Sequence, residues 1–310
     1  MTRFSAVAAV CALLTGAMSA VGCSSSDPAP GDGCVGSGSE ALKTCAKGAT
    51  INGVDVSSYQ GTVNWTQIKG SGRPFAFARI SDGLNSIDSK FATNWPAMKA
   101  AGVVRGSYQF FRPSQDPALQ AQLVLDKLAA AGGLKAGDLP PVLDLESADG
   151  LAGSVVVAKA NIWLKKIEDK IKVKPLIYTA AFMSDVIGTG FGGYTLWVAN
   201  YGTTCPTMPS GWTDWQFWQN ADNGKVAGIA GAVDTDFFNG TLPQLQALTI
   251  KDATPTTPPK PGSPDVGSAA IDANIIPSGD TPNDGSQGST LGSGTPPSQE
   301  TTGAAITPCQ

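Results

Sequence analysis

Pro140-Pro141-Val142-Leu143-Asp144-Leu145-Glu146 is a short apolar run that ends in two acids. In an extended strand residues i and i+2 share a face, so Asp144 and Glu146 point together while Leu143 and Leu145 point the opposite way. Seven more runs rich in branched and aromatic residues recur near 53–57, 75–80, 103–110, 175–179, 195–200, 214–218 and 232–237. Helical patterns lie between the early ones. Asp116-Pro117 is an N-cap and first-turn pair, Ala121, Val124, Leu125 and Leu128 follow i, i+3, i+4, i+7 spacing, and Gly132-Gly133 ends the run. A second helix puts Ala160, Trp163, Leu164, Ile167 and Ile171 on one face, and Val63–Lys69, Ser89–Ala101 and Ala181–Ile187 read as shorter helices. The last three runs are separated by Gly-, Pro- and Asn-rich turns with little room for helices. The pattern predicts an α/β fold, a modified TIM-like barrel of five β/α units followed by three strands lacking regular helices. A doubly wound open sheet is the alternative fold, but no glycine-rich phosphate loop follows the first run.

Composition limits both domain and chemistry. All aromatic residues except Phe4 lie between about 51 and 250, which marks the single domain. Residues 251–310 hold no aromatic residue, and Gly, Pro, Ser and Thr make up 34 of the 60. Such a tail cannot bury enough apolar surface to offset its ordering entropy. Residues 23–50, opening Ser24-Ser25-Ser26-Asp27-Pro28 after Cys23, read as a flexible tether. The chain has no His, which removes Ser-His and Cys-His nucleophiles, two-His zinc motifs and imidazole acid–base chemistry. Hydrolysis would have to use carboxylates. The net charge of −4, without basic clusters, argues against a nucleic-acid partner. No cofactor or metal is called for, and a monomer is expected.

Residues 1–22 carry Arg3, an apolar run from Phe4 to Leu14 and then small residues, the pattern of an export signal. Ala20-Val21-Gly22-Cys23 resembles a bacterial lipobox, which would anchor the exported protein in a membrane through lipidated Cys23; secretion after ordinary cleavage near Ser19 is the alternative. Removing Cys11 and lipidating Cys23 leaves Cys34, Cys45, Cys205 and Cys309, enough for two bridges. Three connectivities are then possible; the expected one closes a short local loop between Cys34 and Cys45 and ties Cys309 back to Cys205, against one bridge and two free thiols.

Paired carboxylates on one face at a strand end raise one pKa and keep an acid protonated near neutral pH. Asp55 ends the first run and Asp234 the last, so three strand ends bring Asp55, Asp144, Glu146 and Asp234 to the C-terminal rim of a barrel. Asp236 is expected to be dispensable. Tyr59, Tyr108, Phe110, Tyr178, Trp197, Tyr201, Trp215 and Trp218 cluster near strand ends. Sugar rings pack on aromatic planes, and Tyr59, Tyr108, Tyr178 and Trp197 are the candidate glycan contacts; about half of the cluster would be core.

Asp55-Val56-Ser57-Ser58-Tyr59-Gln60-Gly61, the stretch Phe75–Asp88, Gly106-Ser107-Tyr108-Gln109-Phe110, Asp144-Leu145-Glu146, Ile177-Tyr178-Thr179, Leu196-Trp197-Val198-Ala199-Asn200-Tyr201 and Val233-Asp234 occur in a fixed order. That ordered set resembles glycoside hydrolase family 25, the Chalaropsis-type lysozymes, over about Ile51–Gly240. The resemblance implies a five-plus-three barrel and a 1,4-β-N-acetylmuramidase that cuts peptidoglycan between N-acetylmuramic acid and N-acetylglucosamine. It implies Glu146 as general acid, with Asp144 beside it and Asp55 and Asp234 completing the site. It implies retention, with Asp144 either facing the developing cation or orienting the 2-acetamido group. Many members have His where this chain has Gln109, which bears on a substrate hydrogen bond. The rival reading is an inactive peptidoglycan-binding envelope lipoprotein.

Overall fold

The computed structural model describes residues 41–251. The export signal, Cys23, Cys34, Cys309 and the tail from residue 252 lie outside the described residues. Five β/α units come first: β1 (Thr50–Val56) with α1 (Trp65–Gly70); β2 (Phe75–Asp82) and the short β3 (Ser86–Ile87) with α2 (Phe91–Ala100); β4 (Val104–Phe110) with α3 (Pro117–Ala130); β5 (Val142–Asp144) with α4 (Gly153–Ile171); and β6 (Leu176–Ala180) with α5 (Ser184–Ile187). Three strands, β7 (Thr195–Ala199), β8 (Phe217–Gly224) and β9 (Val233–Asn239), follow, then α6 (Leu242–Ala247). The caps are those the sequence signals: Asp116 accepts the Leu119 N–H at 2.8 Å, and Pro117 opens α3. Ala160, Trp163, Leu164, Ile167 and Ile171 are the buried stripe of α4.

The sheet closes in the order β1-β9-β8-β7-β6-β5-β4-β2, with β1 also paired to β2. Strands β1, β2 and β4–β8 run parallel, whereas β9 is antiparallel to both of its neighbours. The reason is length. Only residues 225–232 separate β8 from β9, too few for a crossover to a parallel strand, so the chain turns back as a hairpin. Asp234 therefore lies at the start of its strand and not at its end, and the reversal brings it to the same rim, directly opposite Asp55. Strand β8 also begins later than the 214–218 run suggests, because Asp214-Trp215-Gln216 still belong to the crossover.

Side-chain alternation sorts the strands into two cores. Val54, Val56, Ala76, Ala78, Ile80, Leu143, Ile177, Leu196 and Val198 face the helices. Phe75, Phe77, Val142, Leu176, Tyr178, Trp197, Phe217 and Phe238 fill the barrel. Phe77 stacks on Trp197 at 4.3 Å between centroids and meets Phe217 edge-on at 5.2 Å. Two glycines make room for these rings: a Cβ at Gly53 would overlap the Phe75 ring, and one at Gly106 the Phe77 ring. Each fully buried Phe contributes about 1.5–3 kcal/mol, so this plug is a large share of the barrel's cohesion and forms the floor beneath the rim.

The crossover from β7 to β8 has no helix, and residues 42–49 lie along it. Lys43 bridges Thr207, the Trp215 Nε1–H donates to the Thr44 carbonyl at 2.7 Å, and Lys47 pairs with Asp214 at 2.6 Å. This part of the expected tether is docked, because Trp215 and Cys205 give it partners. Cys45 is bonded to Cys205 with Cα atoms 4.5 Å apart, which overturns both expected pairings, Cys34 with Cys45 and Cys205 with Cys309. Nearness along the chain was the wrong guide, since closure brings residues 160 apart together. Replacing Cys45 or Cys205 with Ser should lower unfolding free energy by about 2–4 kcal/mol in denaturant titration, and a midpoint equal to wild type would mean that the bridge constrains nothing.

Candidate active site

The rim at the C-terminal ends of the parallel strands surrounds a cleft of about 240 Å³. Asp55, Asp144, Glu146 and Asp234 all line it, together with Tyr59, Tyr108, Tyr178 and Trp197. Every site residue expected from the sequence within the described region thus meets in one place. Register explains how. Phe110, Asp144, Tyr178, Trp197 and Phe217 are successive cross-strand partners around the barrel, and Asp55 and Asp234 are partners on its other side. Asp144 and Glu146 share the inward face of β5 and its extension, as period-two alternation demands, with Leu143 and Leu145 buried outward.

Burial sets the electrostatics. Desolvation pushes the Asp144 carboxyl well above the ordinary range, and the Glu146 charge adds to it, while Arg79 and Arg112 pull it back. Glu146 is also raised, first by desolvation; Arg112 opposes this, and Asp234 and Asp82 reinforce it. Desolvation with the charges of Asp236 and Asp234 raises Asp55 well above its usual value. Asp234 is pushed up to about 6 by desolvation and by Asp222, against the influence of Asp55. A cluster so arranged holds its protons to higher pH than ordinary carboxylates do, which suits a proton donor to a leaving oxygen.

Several neighbours were not read from the sequence. Gln219 is buried and is fixed at three points: its Oε1 accepts from the Tyr178 hydroxyl at 2.7 Å and the Tyr201 hydroxyl at 2.5 Å, and its Nε2–H donates to Asp55 Oδ2 at 2.7 Å. Two hydroxyl donors on the oxygen leave only the amide nitrogen for Asp55, so the amide orientation follows from the network. Period-two spacing from Phe217 is the signal that could have found it. Arg79, two residues beyond Phe77, likewise lines the cleft. Arg112 makes two bonds to Asp82, at 2.5 and 2.7 Å, and approaches Asp149 at 3.5 Å, which ties the loop after Glu146 to the end of β2.

Two expectations are corrected. Asp236 is no bystander: it is 1% exposed, points inward like Asp234, and accepts the Trp197 indole N–H at 2.9 Å. Gln109 does not face substrate, because it sits between two inward residues; its side chain bonds Ser81 and the Trp163 indole behind the sheet, at 2.9 and 2.7 Å. Trp215 and Trp218 belong to the half of the aromatic cluster expected as core, and both pack between barrel and exterior.

Residues 54–229 match glycosyl hydrolases family 25. Lysozyme M1 of Streptomyces globisporus is 31% identical over 216 residues, covering 66% of this chain and 72% of its own. The N,O-diacetylmuramidase of Chalaropsis sp is 30% identical over 221 residues, 64% of this chain and 99% of its own. The solved structure of a bacterial lysozyme from Streptomyces coelicolor superposes with a TM-score of 0.61 at 32% identity, covering 65% of this chain and 97% of that one. The fold is thus shared with a bacterial lysozyme, and the chain belongs to glycosyl hydrolases family 25.

Proposed function

We propose that this family 25 hydrolase is a muramidase that cleaves the β-1,4 bond between N-acetylmuramic acid and N-acetylglucosamine in peptidoglycan, with Glu146 as the general acid. The observation that carries the reading is the pairing of Glu146 with buried Asp144 on one inward face, in a cleft walled by aromatic rings. Glu146 protonates the leaving oxygen. Asp144 then either faces the oxocarbenium-like centre or orients the 2-acetamido group of the substrate, and both tasks need it ionised. The two acids interact, so they lose protons as a pair, and turnover needs the remaining proton on Glu146. Asp55 and Asp234 complete the acidic wall, and Tyr108, Tyr178, Trp197 and exposed Tyr59 offer faces to sugar rings.

Export is part of the same proposal. Peptidoglycan lies outside the cytoplasm, the Cys45–Cys205 bridge suits an oxidising compartment, and the chain acts as a monomer held by an acyl group on Cys23. The barrel would stand off the membrane on the residues after Cys23, and the tail from residue 252 would be dispensable for turnover. Intact mass of the mature protein from membranes should show a lipidated chain beginning at Cys23; an unmodified chain beginning at Ala20 would refute anchoring.

Two further outcomes are expected. Glu146→Gln should lower release of reducing ends from purified peptidoglycan by about 10²- to 10⁴-fold with binding retained, and Asp144→Asn should also be severely impaired. Wild-type-like turnover of Glu146→Gln would reject the assignment, and an inert wild type that pellets with walls would favour a binding module. Rate should fall at high pH as Glu146 loses its proton, at a pH above the ordinary carboxylate range. Stability carries the same sign. Unfolded Asp titrates near about 3.9, whereas Asp234 in the fold titrates near about 6, and Asp55, Asp144 and Asp236 are raised well above their usual value. Their contribution is fully present below about pH 4 and is lost as pH rises through the folded values. Asp55→Asn, whose amide oxygen can still accept from Gln219, should therefore raise Tm relative to wild type by an amount that grows from pH 4.5 to 8, while activity falls. A Tm difference independent of pH would contradict the burial account.

A further inference from the structure

We propose that Arg79 is a subsite for a carboxylate carried on the O-3 lactyl arm of muramic acid. The inference rests on the muramidase reading and adds to it a specificity-determining residue. Arg79 projects inward from β2, in register with Tyr108, between the β1 end that bears Asp55 and the β5 end that bears Asp144 and Glu146. It is held from behind: its Nε donates to Asp88 Oδ2 at 3.2 Å, and Asp88 is fixed by the backbone N–H groups of Ser58 at 2.7 Å and Lys90 at 2.9 Å. The guanidinium carbon sits 5.2 Å from the ring centroid of Tyr59, which is 85% exposed. Among the described residues no acceptor meets either Nη, although the side chain is only 18% exposed. Arg112, the nearby alternative, is committed to Asp82 and Asp149.

A planar cation anchored through Nε, with two nitrogens unspent, fits a carboxylate through paired N–H bonds. The surrounding charge makes the match selective. An anionic group brought into a wall of Asp55, Asp144 and Asp234 is repelled everywhere except at Arg79, so the cation fixes where the lactyl arm goes and hence which sugar occupies that part of the cleft.

Two sources can supply the carboxylate: the lactyl group itself, where the stem peptide has been removed, or acidic residues of the peptide. Wild type and Arg79→Gln are compared on three substrates, namely glycan strands stripped of peptide, intact peptidoglycan, and stripped strands whose carboxyls have been converted to methylamides. On stripped strands the variant's kcat/KM should fall roughly tenfold further than on methylamide strands, with the extra loss in KM; the loss on methylamide strands reports only the charge that Arg79 places beside Asp144. The extra loss on stripped strands alone assigns the lactyl carboxylate, and an equal extra loss on intact peptidoglycan extends the site to stem-peptide carboxylates. Wild type alone also reads the subsite, since conversion to methylamides should raise its own KM about tenfold, and Arg79→Lys should recover part of the loss. An equal loss on all three substrates, or a displaced pH profile at unchanged KM, would overturn the proposal and leave Arg79 as a neighbour that balances Asp144. A wild type that releases no reducing ends from any substrate would overturn the muramidase reading, and this inference with it.

Discussion

The antiparallel return of β9 is the constraint on which the site depends. A barrel closed by a parallel eighth strand would carry Asp234 and Asp236 at the opposite end of their strand relative to β1. The short hairpin from β8 reverses the chain, and Asp234 then stands across from Asp55 while Asp236 stands across from Gly53. Phe238 continues the same inward face into the plug of aromatic rings. One strand therefore supplies a wall of the cleft, a buried acid beneath it and part of the floor.

Burying several acids this close together opposes folding. The compensation is local and consists of donors: the Gln219 amide for Asp55, the Trp197 indole for Asp236, and the diffuse charge of Arg79 and Arg112 for Asp144. It is incomplete, because Asp144 Oδ1 and Asp236 Oδ2 are buried without a partner among the described residues. A cleft that satisfied every oxygen internally would have nothing left to offer a substrate. The helix-facing core and the plug of the barrel carry the stability that the rim lacks.

Much of this was legible in the chain. Strand and helix order follow from hydrophobic period, and Asp144 and Glu146 could be placed on one face by counting two residues. Asp55 needed only the end of the first run, whereas Asp234 reaches the expected rim for a different reason, as the start of a strand that it was expected to end. What the sequence does not display is direction and depth. The reversal of β9 depends on loop length against crossover length, and the sense in which Gln109 and Asp236 face depends on which neighbours point inward. Gln219 and Arg79 are ordinary residues in any one-dimensional reading, and they acquire meaning from what stands across the barrel. The pairing of Cys45 with Cys205 is hidden for the same reason, because it joins residues made adjacent only by the finished fold.

That bridge also defines a path for mechanical load. Cys45 lies five residues before β1, and its partner lies in the helix-free crossover along which residues 42–49 run. Tension applied upstream of residue 45 enters the barrel through two covalent routes, one along the backbone into β1 and one across the sulfurs into the β7–β8 crossover. The hydrogen bonds of β1 to β2 and β9 then share the pull instead of meeting it alone, and Asp55 on that strand is shielded from displacement. A barrel pulled from upstream of residue 45 would thus keep its cleft in register under force.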